Sequence, residues 1–356
     1  MGVLQAEGAV TPPVLVVRPG RGDTGLVLAR SGAAGLDIIE AHRIALPSLT
    51  PQGAPSRATV AVIAGLVGEL ADPPTAARLV LPPGTTPLRR AEIELPIPRA
   101  AQAAHIADAL RRAREALSDE ARTAVLACRP TGFALDGAWG QGDPIGRRGS
   151  ALTVEATALC APVSLLAGFE RALTSAGLAL DGVIAPAEAL VAACLPEGEG
   201  QAVHVGYGAS LAVEARGGAV LRQAVVPIGR RHLEQDAAEA AGLEPEAAAA
   251  ATTRALAGEA AGRAGAAVEV RLDELRTLLD EARTAAGFEL KTMVLSGLPP
   301  RALGDEARPS PLAADADPLL LGAARLALGL GGEADQAALL APNRRRSVFG
   351  WLKEHF

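Results

Sequence analysis

Apolar positions along the chain fall into short runs and longer amphipathic stretches that alternate from one end to the other. VLVV (14–17) and LVLA (26–29) flank the turn-rich RPGRGDTG and predict a hairpin of buried strands, because short apolar runs bounded by Gly and Pro suit strands covered on both faces. ATVAVIAGLVGEL (58–70) fits a strand or a short helix. In RAAQAAHIADALRRAREAL (99–117), Ile106, Leu110 and Leu117 share a stripe with arginines opposite, which predicts an amphipathic helix. TAVLACRP (123–130) predicts a strand stopped by Pro130, and SALTVEATALCAP (150–162) another strand. VSLLAGFERALTSAGL (163–178) predicts a helix closed by Gly177, followed by a further strand and helix in DGVIAPAEALVAACL.

The clearest strand signal is QAVHVGYGASLAVEARGGAVLRQAVVPIG (201–229), a meander of three strands with GYG and GG as turns. An alanine-dominated helix interrupted near Pro245 follows, then an amphipathic helix at 271–288, a strand at 291–300 ending in a Gly/Pro turn, and a helix at 319–332. Strands in pairs and triplets alternating with helices imply an α/β protein of two related halves.

Composition changes this picture in two ways. Apolar residues make up 49% of 356 residues but aromatics only 2%, so the core is expected to be Ala/Leu/Val packing with small side chains. The formal net charge of −6 argues against nucleic-acid binding, since little is available to displace counterions. Cys128, Cys160 and Cys194 lack metal-ligand spacing and read as buried small hydrophobes. No signal peptide and no spanning segment are visible, which predicts a cytoplasmic protein.

Candidate chemistry is sparse. GRGDTG (20–25) matches a dinucleotide fingerprint, but LVLA after it predicts a strand where a phosphate-binding helix is needed, so a tight hairpin turn is the better reading. His42, His105, His204, His232 and His355 share no metal spacing, and no metal site is expected. Asp136 and Asp143 lie in a glycine-rich loop as Asp-Gly and Asp-Pro, which are turn formers before they are an acid/base pair.

PTGFALDGAWGQGDPIGRRGSALTVEA, FERALTSAGLALDGVIAPAEALVAACL (169–195), VHVGYGASLAVEARGGAVLRQAVVPIGRRHLEQDAA (203–238) and MVLSGLPPRALG (293–304) resemble, in collinear order, segments of the actin-like bacterial cell-division family FtsA. The resemblance covers about residue 90 to the end and implies an actin-like fold with ribonuclease H-like halves, an inserted 1C-type subdomain and a C-terminal amphipathic helix. It implies subdomain 1A at 1–56 and 161–194, the 1C-like insert at 57–160, subdomain 2A at 195–240 and 290–332, and a reduced 2B-like subdomain at 241–289. A linker at 333–343 and a membrane-targeting helix at 344–356 complete it. Such proteins hold magnesium with an aspartate in each half, and those positions read here as Arg18 and His204, while Leu298 follows Gly297 where a second glycine is expected. A cation or imidazole there inverts the local field. The resemblance therefore implies no catalytic residue, a pseudo-ATPase and no cofactor. ATP with magnesium is the group the family would hold, and Gly206, Gly208 and Gly297 are the positions that would admit it, with plain strand turns as their other use.

The end of the chain, RRRSVFGWLKEHF, holds three of its few aromatics. On a helical wheel Val348, Phe349, Trp351, Leu352 and Phe356 share one arc, behind Arg344, Arg345 and Arg346 and with Lys353 on the polar side, the combination an interfacial membrane helix needs. By resemblance the chain is a membrane adaptor at the cytoplasmic face of the inner membrane at the division site. Its expected partners are FtsZ, anionic lipids, further copies of itself and, through the 1C-like insert, other divisome proteins. The alternatives are an active actin-like ATPase whose motifs align differently and a PilM-like pilus or secretion platform component.

Overall fold

A computed structural model describes residues 12–20, 22–32, 35–44, 49–50, 53–118, 122–140, 142–289, 292–303, 307–312 and 317–330. The expected linker at 333–343 and membrane helix at 344–356, with Arg344, Arg345, Arg346, Val348, Phe349, Trp351, Leu352, Lys353 and Phe356, lie outside these residues.

The first half opens with β1 (Val14–Arg18), β2 (Thr24–Gly32) and β3 (Gly35–Ile44) in an antiparallel meander. α1 (Arg57–Gly68) leads to β4 (Ala76–Val80), which runs parallel to β1 with Val17 beside Leu79. An excursion follows: β5 (Leu88–Pro96), α2 (Ala103–Leu117), β6 (Thr123–Leu135), β7 (Ala138–Gly140) and β8 (Ala151–Pro162) form an antiparallel sheet, ordered β5-β8-β6-β7, with α2 packed on it. The chain returns through α3 (Val163–Ser175) to β9 (Ala179–Ile184), the last strand of a sheet ordered β3-β2-β1-β4-β9, and then α4 (Pro186–Cys194).

The second half repeats the plan. β10 (Gly200–Val205), β11 (Ser210–Arg216) and β12 (Ala219–Val226) form the meander, followed by α5 (Arg230–Ala241), α6 (Pro245–Ala257) and α7 (Gly262–Ala285). β13 (Met293–Ser296) runs parallel to β10, β14 (Ala307–Pro309) parallel to β13, and α8 (Pro318–Ala327) follows. The sheet order β12-β11-β10-β13-β14 mirrors the first. Turn chemistry marks the helix ends: Gly242 and Gly258 close α5 and α6 in the left-handed region, and Pro245 and Pro318 open α6 and α8.

Three expectations change. Pro130 does not stop β6, which continues to Leu135, because the proline sits where the register with β8 shifts and its missing N–H breaks no regular rung. Residues 57–80 form α1 and β4 of the first half rather than part of the insert, whose sheet begins at Leu88. Residues 241–289 build no separate unit: Ala248, Val268 and Leu275 share one core with Val203, Val226 and Leu295 of the second sheet.

The halves meet through two helices. α4, buried on nearly all sides, packs on β10, β11 and β12, while α8 packs on β1, β2 and β4, so each sheet is covered by a helix that follows the other half in sequence. The two cross at Gly322, where a Cβ would lie 1.8 Å from the Ala189 carbonyl oxygen and 3.1 Å from the Ala193 side chain. Only small residues allow that approach, which is where the alanine-rich composition becomes architecture. The insert touches both halves. Its Thr157 hydroxyl donates to the Val220 carbonyl at 2.8 Å, Arg90 donates to the Leu221 carbonyl, and Arg129 pairs with Glu188 of α4, so the free edge of β12 is covered.

Candidate functional site

β1 ends in Arg18 at the junction of the halves, and Asp23, just before β2, brings a carboxylate back to it. Arg18 Nη2 lies 2.5 Å from Asp23 Oδ2, and Nε lies 2.7 Å from Asp317 Oδ2. Asp317 is the N-cap of α8, accepting from the Leu319 and Leu320 N–H groups, so one carboxylate serves a helix end and an ion pair together. Arg43 of β3 adds a second cation on Asp23 at 2.7 Å. Arg18 and both carboxylates are almost wholly buried, whereas Arg43 is half-exposed.

Charge is balanced within this set: two arginines face two aspartates. Burial by itself would lower the Arg18 pKa, but Asp317 and Asp23 outweigh it and hold the guanidinium above its ordinary value. Burial would likewise raise the Asp317 carboxyl, and Arg18, with His204, holds it below the usual range.

The second half meets this knot with a neutral group. His204 on β10 pairs in register with Ser296 on β13, and its Nδ1 lies 3.1 Å from Ser296 Oγ. Burial pushes its pKa down to about 4, with Asp317 opposing and Arg18 assisting, so the imidazole is uncharged at neutral pH. Beyond it, Tyr207 in the β10–β11 turn lies against Gly22, where a Cβ would come within 2.2 Å of the ring.

Two of the three glycines expected to admit a nucleotide have close neighbours in the protein itself. Gly297, at φ +86°, faces the Val205 carbonyl, where a Cβ would lie at 2.1 Å; a Cβ on Gly206 would meet the Ala209 carbonyl at 2.9 Å. Gly208 lies in that same β10–β11 turn. Leu298 is buried in the core of the second half beside the α6 residues Ala255 and Leu256. Arg18 and His204 thus lie near each other, as the family resemblance implies. The sequence reading missed Asp23, Asp317 and Tyr207. Asp317 carried a signal, since Asp-Pro before an apolar run marks a helix start, but nothing in the chain paired it with an arginine 299 positions away.

The remaining candidates are structural. Asp136, at φ +49°, accepts from the Ser150 and Ala151 N–H groups and the Ser150 hydroxyl, which lower its pKa, and Asp143 accepts from Ile145 N–H. GRGDTG leads from β1 into β2, which pair as an antiparallel hairpin with Arg18 opposite Gly25. The three cysteines are free and buried, with their thiol pKa values raised by that burial. Among the described residues no helix is long and apolar enough to cross a membrane.

No family model matches the chain, and no curated protein sequence does. Among solved structures, the chain is similar to one described as a PilM-PilN type IV pilus biogenesis complex, with a TM-score of 0.57 and 18% identity over 92% of this chain and 98% of that one. It is also similar to the ethanolamine utilization protein EutJ from Carboxydothermus hydrogenoformans, with a TM-score of 0.52 and 14% identity over 89% of this chain and 92% of that one. Together with the duplicated sheet order, these likenesses show an actin-like fold.

Proposed function

We propose that this chain is a nucleotide-independent adaptor of actin-like fold that holds a protein assembly at the inner face of the cytoplasmic membrane, as a pilus or secretion platform component. The observation that carries the first part is the Arg18–Asp23–Asp317 knot. A metal-bound nucleotide between the halves needs carboxylates with free oxygens facing the ion. Here both are engaged by arginines, and a third position is an uncharged imidazole. The residues therefore do not fit magnesium-ATP, and the group that sets the angle between the halves is the protein's own ion pair. The platform role is supported by the likeness to PilM, which extends across nearly all of both chains, insert included, and by PilM's place in a complex with PilN. By that likeness the partner is a second protein.

Equilibrium titration of the full chain with ATP, with and without magnesium, tests the first part; no saturable binding and no phosphate release are expected. Binding that magnesium strengthens would overturn it and favour the ATPase alternative.

A second reading has one specific support, the amphipathic pattern of 344–356 with its arginine triplet. In it the chain is an FtsA-like adaptor that carries FtsZ filaments to the membrane at the division site, and weak tails act together in a self-assembled array. Co-sedimentation with anionic liposomes, comparing the full chain with one ending at Asn343, is expected to show loss of pelleting on truncation. Addition of FtsZ then distinguishes the partners, since retention with the liposomes is expected only in the division reading.

A further inference from the structure

The far end of the insert carries surface chemistry that the charged centre does not use. β6 and β8 start near α3 at Thr123 and Pro162 and run together to Leu135 and Leu152. Thirteen residues of β6 at about 3.3 Å each make the strand roughly 40 Å long, and its end lies about 20 Å past Arg129, where it pairs with Glu188 of α4. Thr157, which meets Val220 of the second half, lies six positions short of Ala151, so the end extends about 20 Å past this contact.

The end is firmly built. Asp136 and Gly137 form a two-residue turn, with φ +49° and +81°, which suits the twist of a tight hairpin and returns the chain as β7. The hydrogen bonds from Ser150 and Ala151 to Asp136 tie that turn to the start of β8. On this base Trp139 is 56% exposed and Ile145 48% exposed. Trp139 is the only exposed aromatic among the described residues, in a chain with two tryptophans. Its ring edge rests over β6, where a Cβ on Gly132 would come within 3.3 Å of it. Arg99, Arg147 and Arg148 are exposed on the adjoining backbone, where Gly149 N–H donates to the Arg99 carbonyl and Ala101 N–H to the Arg147 carbonyl. Three arginines there face Asp136 and Asp143, both engaged by backbone N–H groups, while a third carboxylate, Glu155, lies beside the Trp139 ring over Gly132 and pairs with Arg90 at 4.0 Å.

We infer that this end of the insert is a lipid-contact surface, placing Trp139 and Ile145 at headgroup depth in an anionic membrane with Arg99, Arg147 and Arg148 against lipid phosphates. A bilayer interface favours an amphipathic ring beside an aliphatic side chain and cations, and it demands no complementary groove. A protein partner adding a strand needs a longer edge than the three residues of β7. The inference rests on the adaptor reading for its membrane but not on the tail.

The test uses the full chain carrying Trp351→Phe, which leaves Trp139 as the sole tryptophan reporter. Vesicles of phosphatidylglycerol and phosphatidylcholine are expected to shift its emission to the blue and protect it from iodide, and pure phosphatidylcholine much less. Adding Trp139→Ala and Ile145→Ser to the full chain is expected to raise the lipid concentration for half-binding about tenfold with an unchanged unfolding midpoint. Pelleting of the full chain with no shift and no protection, or with equal binding by the double variant, overturns the inference and leaves the adaptor reading standing. A shift produced by a protein partner and not by vesicles overturns it as well. Failure of the full chain to pellet at all removes both.

Discussion

The strand ends at Arg18 and at His204 hold equivalent places in the two halves, and they bury polarity in opposite ways. The first keeps a full charge and surrounds it with Asp23, Asp317 and, through Asp23, Arg43. The second gives up its charge and needs a single neighbour, Ser296. A guanidinium cannot be neutralised within the stability range of a protein, so its burial demands carboxylates; an imidazole loses its proton instead. One topology therefore supports a centre that is charged on one side, neutral on the other and balanced overall. Because one of the carboxylates comes from α8, after the second half, the charged side also ties the halves together.

The difference can be broken at its strongest point first. Arg18→Met leaves Asp23 and Asp317 without their shared cation, and a buried pair broken from one side costs about 3–5 kcal/mol, measurable by urea unfolding. Combining it with Asp23→Asn and Asp317→Asn is expected to recover most of that loss. A triple variant as unstable as the single one would show that shape, not charge, holds the centre. On the neutral side, His204 titrates near 4 when folded and near its ordinary value when unfolded. The unfolded chain then binds the extra proton between these values, so stability rises with pH across about pH 4 to 6.5, by up to about 3 kcal/mol. His204→Gln is expected to flatten that part of the stability curve, and an unchanged slope would remove the neutral-imidazole account.

Smaller effects sharpen how the halves are joined. Gly322→Ala forces a methyl group into the Ala189 carbonyl and is expected to destabilise by about 1–3 kcal/mol as α4 and α8 part, read by thermal unfolding. Thr157→Val removes one buried hydrogen bond between the insert and β12 at a cost of about 1 kcal/mol. Faster amide exchange confined to β12 is expected with it, and exchange that quickens throughout the second half would mean that the insert braces far more than one edge.

Much of the fold was readable in advance because its signals are local. The meander at 201–229, the helix expected at 163–178 and found over Val163–Ser175, the break near Pro245 and the duplication of halves follow from apolar periodicity and turn residues alone. β3, β4 and β5 were not readable. GLDIIEAHRI and LRRAEIELP mix charges with apolar residues on half-exposed strands, and AARLV is a short run whose strand character comes from lying between β1 and β9. The start of α7 escaped for a similar reason: GRAGAAVEV offers little contrast between faces, and its helix is decided by packing on α5, α6 and β12.

The sequence by itself determined the two-half α/β plan, the presence of Arg18 and His204 at the two equivalent strand ends, and a core of small side chains. Tertiary structure alone decided that Arg18 is paired across the molecule with Asp317, that Gly322 meets Ala189, and that Trp139 stands exposed at the far end of the insert. Periodicity and turn chemistry act over a few residues and are written in their order, whereas charge pairing and close packing depend on which distant segments the folded chain brings within a few ångströms.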